Sequence, residues 1–185
     1  MTNAFAFHGT GGHPRENWFP WLKNELEKLG CPTLVPNFPT PKNQSLENWF
    51  KVLEKYEKLL TPETILVGHS LGGAFLLRVL EKIGQPVKAA FFVGTPIGVR
   101  PIRNYDADLM FVGKFDFNWP KIRESSKKIF VFQSDNDPYV CLENSVQLAR
   151  NIGVPLTFVP NAGHFNAAAG YAKFELLLEK IKVEL

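Results

Sequence analysis

Two rhythms alternate along the chain. Short runs that are apolar throughout give way to longer stretches where apolar residues recur every three or four positions. Residues 3–8 (NAFAFH) read as a buried strand. Residues 18–29 put Trp18, Phe19, Leu22, Leu26 and Leu29 on one helical face, and Gly30 stands where that helix would stop. Residues 33–36 (TLVP) read as a short strand. Ser45 suits the N-cap of a helix over 46–60, with Leu46, Trp49, Phe50, Leu53 and Leu60 on its apolar face. TILV at 64–67 is a strand, and residues 71–83 a helix closed by Gly84. Residues 88–93 (KAAFFV) and 128–132 (KIFVF) are strands, 142–151 a helix, 156–159 (LTFV) a strand and 171–183 a closing helix. Strands without an exposed face, separated by amphipathic helices, predict a parallel sheet covered on both sides. No internal repeat or low-complexity tract is visible.

Residues 94–120 break the rhythm. They hold Pro96, Pro101, Pro120, three glycines and the aromatics Tyr105, Phe111, Phe115, Phe117 and Trp119. The stretch is too long for an ordinary connection. It reads as an irregular insert in a single domain spanning 1–185, with Phe111, Phe115, Phe117 and Trp119 either lining a pocket or packed in the core. A chain of 185 residues suits one domain, and at this size about 70% of the unfolded surface is buried, so one core suffices.

Composition narrows the function classes. Apolar residues make up 45% and charged ones 21%, with a net charge of only +3. Lysines sit beside glutamates, as in Glu54-Lys55 and Glu57-Lys58, rather than forming the clustered basic face that nucleic acid requires. Cys31 and Cys141 lack metal-ligand spacing and are expected to be reduced thiols, a disulfide between them being the alternative. No basic region precedes an apolar run at the N-terminus, so no membrane segment and a cytoplasmic location are expected.

Candidate chemistry centres on TILVGHSLGG at 64–73, where Gly68-His69-Ser70-Leu71-Gly72 matches G-x-S-x-G. The motif carries weight because a strand precedes it and a helix follows through Ala74, Leu77, Val79 and Leu80. Glycines are needed because the serine sits on a sharp strand-to-helix turn that brings neighbouring chain close. Leu71 N–H at the helix start is one candidate donor to an oxyanion.

A serine hydroxyl needs a base. Of His8, His13, His69 and His164, only His164 follows the middle of the chain, just past the last strand in PNAGHF. The order Ser, acid, His then asks for a carboxylate after the preceding strand. FVFQSDNDPYV offers Asp137, favoured by the rigid turn at Pro138, and Asp135, which could instead cap a turn. The loop after the first strand, His8-Gly9-Thr10-Gly11-Gly12-His13, supplies the Thr10 N–H as second oxyanion donor, with Gly9 and Gly11 lining the pocket. His8 is expected to brace that loop, His13 to be exposed or to line the pocket, and His69 to pack beside the turn. A metal site from His8, His13 and a carboxylate lacks clear ligand spacing and is not expected.

HGTGG, GHSLGG, SDNDPYV and NAGHFN, in this order and at this length, resemble the small serine hydrolases related to retinoblastoma-binding protein 9 and bacterial YdeN. FDFNWPKI at 115–122 also resembles that family's segment ahead of the acid-bearing strand. The resemblance covers essentially the whole chain. It implies a Ser70–Asp137–His164 triad on a reduced α/β-hydrolase fold without the two leading antiparallel strands. By analogy the sheet has six strands in the order 2-1-3-4-5-6. The order reverses between strands 1 and 3, where ligands bind at strand carboxyl ends.

The expected function is hydrolysis of an acyl bond, most simply a carboxylic ester, through an acyl-enzyme on Ser70 and without a cofactor. The substrate would be a small acyl compound, with a lean toward apolar acyl groups if the aromatics of 94–120 face the pocket. Thioesterase and peptidase are the rivals among enzymes. A protein- or ligand-binding module that kept the fold without turnover is the rival from another class.

Overall fold

The computed structural model describes all residues except Arg103, Asn104, Lys114 and Phe115, together with the side chains of Tyr105 and Ala107. Phe115 and the Tyr105 ring, two of the aromatics noted above, therefore lie outside the described residues.

Six parallel strands form one sheet in the order β2-β1-β3-β4-β5-β6. They are β1 (Asn3–Phe7), β2 (Thr33–Leu34), β3 (Thr64–His69), β4 (Ala89–Val93), β5 (Ile129–Gln133) and β6 (Leu156–Phe158). The helices are α1 (Phe19–Lys28), α2 (Leu46–Glu54), α3 (Leu71–Lys82), α4 (Tyr105–Val112), α5 (Trp119–Glu124), α6 (Leu142–Ile152) and α7 (Glu175–Lys182). No helix among the described residues is long and apolar enough to cross a membrane.

Side chains alternate across each strand, and both faces are buried. Phe5, Phe7, Leu66, Phe92 and Val131 meet Trp49, Phe75, Leu76 and Leu148 from α2, α3 and α6 on one face. Ala4, Ala6, Ile65, Val67, Phe91 and Phe132 meet Phe19, Leu22, Leu26 and Leu177 from α1 and α7 on the other. This double burial explains why the strands show no polar side in the sequence.

Several expected boundaries shift. Ser45 caps α2 as expected, its Oγ accepting Asn48 N–H at 3.1 Å. The helix nevertheless ends at Glu54, and Glu57–Leu59 form a separate 3-10 turn instead of continuing to residue 60. Tyr56 lays its ring edge-on against Phe5 at 6.1 Å, so contact with the sheet overrides helix continuation there. The closing helix starts at Glu175 rather than 171 because Tyr171 and Phe174 turn inward onto Phe165.

Residues 94–120 require the largest correction. They are not irregular: α4 lies within them and α5 begins there. Asn144 of α6 braces the entry, its Oδ1 accepting Ile97 and Val99 N–H at 2.9 and 3.0 Å. Arg78 of α3 then holds the far side, donating to Phe111 O at 2.9 Å and to Asp116 at 2.8 Å.

Candidate active site

All six strands end on one edge, and the loops after β1, β3, β5 and β6 carry the candidate groups. β3 runs into Ser70, whose φ of 54° and ψ of −127° are costly for a residue with a side chain. The turn is forced by close packing. A Cβ on Gly68 would fall 2.5 Å from Gly73 Cα, and one on Gly72 would fall 2.2 Å from Phe7 O. Ser70 N–H donates to Val93 O at 2.9 Å, which ties the turn to β4. Leu71 opens α3 directly after it, where first-turn N–H groups have no acceptor in the helix.

Four consecutive residues after β5 clasp four consecutive residues after β6. Ser134 Oγ accepts Ala162 N–H at 2.9 Å, Asp135 Oδ1 accepts Asn161 N–H at 2.8 Å, and Asn136 Oδ1 accepts Gly163 N–H at 2.7 Å. Asp137 Oδ2 completes the clasp by accepting His164 Nδ1–H at 2.7 Å. Its other oxygen takes Tyr139 and Val140 N–H at 2.8 and 3.0 Å. The Asp137 side chain is 0% exposed and Asp135 is at the surface, so Asp137 is the aspartate that meets the imidazole.

Neutral donors hold the histidine loop from below. His69 is buried against Trp18 and Phe19, and that burial, reinforced by the His164 charge, pulls its imidazole down to about 3. Its Nε2 lies 2.8 Å from His164 O, a carbonyl that can only accept, so Nε2 carries the proton. Trp18 Nε1–H donates to Phe165 O at 2.9 Å. His8 braces the opposite loop. Its Nε2 accepts Phe38 N–H at 3.0 Å, which leaves Nδ1–H to meet Gly9 O at 3.1 Å, and burial lowers its pKa. His13 sits outside, its Nδ1 accepting Arg15 N–H at 3.1 Å.

Gly9, Thr10, Gly11, Ser70 and His164 line one cavity of about 210 Å³. Gly9 passes so close to the serine that a Cβ there would lie 2.7 Å from Ser70 Cβ. A larger cavity of about 460 Å³ lies between α2 and α3 near Thr61 and Val87. That is the edge opposite Ser70, where the strands begin, and none of the clasped acid–base groups reaches it.

Of the aromatics of 94–120 named for a pocket wall, the described ones Phe111, Phe117 and Trp119 do not line the cavity. Phe111 is fully buried against Trp49, at 4.7 Å between rings. Phe117 is buried beneath the Arg78 guanidinium at 4.1 Å. Trp119 packs on Phe117 at 5.1 Å. Phe111 of α4 and Phe117, ahead of α5, belong to the core cluster, and Trp119 at the start of α5 packs against it. What the segment presents to the cavity instead is Ile102 and Asp108, and Asp108 accepts Thr10 Oγ1–H at 2.6 Å. Burial pushes the Asp108 carboxyl up to about 6, against the lowering pull of the Thr10 and Gln44 hydrogen bonds. Sequence reasoning missed Asp108, although a lone acid inside the apolar run ADLMFV was a signal. It also missed Ser134 and Asn136, short polar residues beside Asp137 suited to bonding backbone.

The serine hydrolase family pattern matches residues 5–182. The chain belongs to the serine hydrolase family. It is 31% identical over 179 residues to the YdeN protein of Bacillus subtilis (strain 168), covering 95% of this chain and 92% of that one. It is 26% identical to serine hydrolase RBBP9 of Rattus norvegicus, over 89% and 87% of the two chains. The crystal structure of the ydeN gene product from B. subtilis superposes with a TM-score of 0.88, covering 100% and 98% of the chains at 28% identity. Est1E from Butyrivibrio proteoclasticus shares the fold at a TM-score of 0.70 and 17% identity, over 98% and 90% of the chains.

Proposed function

We propose that this hydrolase cleaves short carboxylic esters through a Ser70–His164–Asp137 triad. The observation that carries the reading is the 2.7 Å bond from His164 Nδ1 to the buried Asp137 carboxylate, beside a strained serine in the same cavity. Ser70 Oγ attacks the acyl carbonyl while His164 Nε2 takes its proton. Asp137 keeps the imidazole in the tautomer that leaves Nε2 free to accept. Thr10 and Leu71 N–H groups receive the developing oxyanion. The alcohol departs with a proton from His164, and water attacks the acyl-enzyme with His164 again as base. No cofactor enters this sequence.

The size of the cavity supports a small substrate. A volume of about 210 Å³ falls below the roughly 300–1,000 Å³ common for ligand pockets. With Phe111, Phe117 and Trp119 packed elsewhere, the apolar lining of the cavity among the described residues comes down to Ile102, Val140 and the Tyr139 ring, a short surface for an acyl chain to follow. A screen of p-nitrophenyl esters from acetate to dodecanoate tests this. Acetate and butyrate should be cleaved fastest, and Ser70→Ala should abolish turnover. Peak activity at decanoate or longer, or hydrolysis that survives Ser70→Ala, would overturn the proposal.

A further inference from the structure

Asp108 is a carboxyl only 4% exposed, on a helix whose other buried residues among those described, Phe111 and Val112, are apolar. Burying it is costly, and an apolar side chain would pack there without that cost. Its position shows what it holds. One oxygen accepts the Thr10 hydroxyl proton at 2.6 Å, and Gln44 Nε2 lies 3.4 Å from the same oxygen. Gln44 Oε1 in turn accepts from Thr40 Oγ1 at 2.5 Å, and Thr40 Oγ1 accepts Gly11 N–H at 2.7 Å. Two successive residues of the loop after β1 are thus pinned, Thr10 by its side chain and Gly11 by its backbone. The pins come from α4 and from the segment ahead of α2, far apart in sequence.

Two other hydrogen bonds on this loop converge on Gly9 O, from His8 Nδ1–H at 3.1 Å and Gly12 N–H at 3.0 Å, and neither reaches the Thr10 side chain. The loop is rich in glycine, and Gly11 adopts a positive φ of 70°. An oxyanion donor stabilises a transition state only if it is fixed before the charge develops. A threonine hydroxyl locked to a buried carboxyl fixes its own peptide plane.

We propose that Asp108 is a positioning residue which, through the Thr10 hydroxyl, holds the Thr10 N–H where the oxyanion forms. The proposal rests on the site reading above, with Ser70 as nucleophile and the Thr10 N–H as donor. It gives residues 94–120 a catalytic consequence without placing any of their side chains on the reacting atoms.

The test uses the full chain and reads the second-order rate of labelling of Ser70 by a fluorophosphonate, whose phosphoryl oxygen takes the oxyanion position. It also reads kcat and KM on p-nitrophenyl acetate. Thr10→Val removes the hydroxyl and keeps the N–H. Asp108→Ala removes the acceptor. Each should slow labelling and kcat about 10- to 100-fold, less than the roughly 10²–10³-fold lost when an oxyanion donor is removed outright, with KM changed by less than about threefold. The double variant should be little worse than the poorer single one, because both cut the same link. Thr10→Ser and Asp108→Asn, which restore donor and acceptor, should recover most of the lost rate.

Three results would overturn the proposal. One is multiplicative losses in the double variant. Another is failure of Thr10→Ser to recover the rate lost in Thr10→Val, a comparison that stands even if Asp108→Ala does not fold. The third is a rise in KM at constant kcat for Asp108→Ala, which would make Asp108 a substrate contact. If wild type labels at Ser70 but cleaves no ester, the substrate reading fails while the labelling rates still decide the role of Asp108. If Ser70 does not label at all, the site reading fails and this proposal falls with it.

Discussion

Asp135 and Asp137 lie two positions apart, yet their surroundings assign them different work. Asp137 is buried on the imidazole, whereas Asp135 caps the Asn161 N–H at the surface. Asp137→Asn should lower kcat by about 10⁴-fold, because the histidine loses the partner that selects its tautomer. Asp135→Asn should change kcat less than about threefold, since the amide oxygen can still accept. Steady-state rates of the two variants check this, and a reversal would exchange their roles. Asp108 makes a separate prediction about pH. Its carboxyl is held near 6 in the fold against an ordinary 3.8. Between those values the folded state binds more protons than the unfolded chain. Stability is therefore full below pH ~4, declines as pH rises toward ~6, and stays lower above. Asp108→Asn escapes that loss. Its advantage over wild type in urea unfolding should grow between pH 4 and 7, by up to about 3 kcal/mol. A difference that is flat with pH would contradict the burial of an ionising group there.

Among the elements, those built on local pattern were legible and those shaped by distant contacts were not. The six strands follow from apolar runs, and the capping of α2 follows from Ser45. The break after Glu54 and the late start of α7 depend on where Tyr56, Tyr171 and Phe174 find the core, which no local pattern records. Helices α4 and α5 were obscured by the prolines and glycines around them. Phe111 and Phe117 are buried, but whether Phe111 faces pocket or core depends on Trp49 and Phe75, residues distant in sequence. Phe111→Ala should therefore cost about 3–5 kcal/mol, as for a core aromatic, and leave the order of rates among ester lengths unchanged. Thermal unfolding together with the ester screen measures both. A shifted chain-length preference at intact stability would return the ring to the pocket.

At the scale of the whole molecule, the parallel sheet gathers the candidate groups because every strand ends on the same edge. β1 and β3 are neighbours whose following connections leave for opposite faces, to α1 and to α3. The loop carrying Thr10 and the turn carrying Ser70 therefore meet where the strand order reverses. The loops after β5 and β6 reach them through the clasp of 134–137 onto 161–164. The serine, the histidine and an acid were readable because each stands in a short motif at a strand end. Asp108 was not, because it enters from a helix outside that regular pattern. The central claim is an activated Ser70, and the most direct measurement is mass spectrometry of the intact chain after brief exposure to a fluorophosphonate at neutral pH. The account predicts one adduct per chain, mapped to the peptide containing Ser70, absent in Ser70→Ala and strongly slowed in His164→Ala. No adduct, an adduct on another residue, or labelling undiminished in His164→Ala would contradict it.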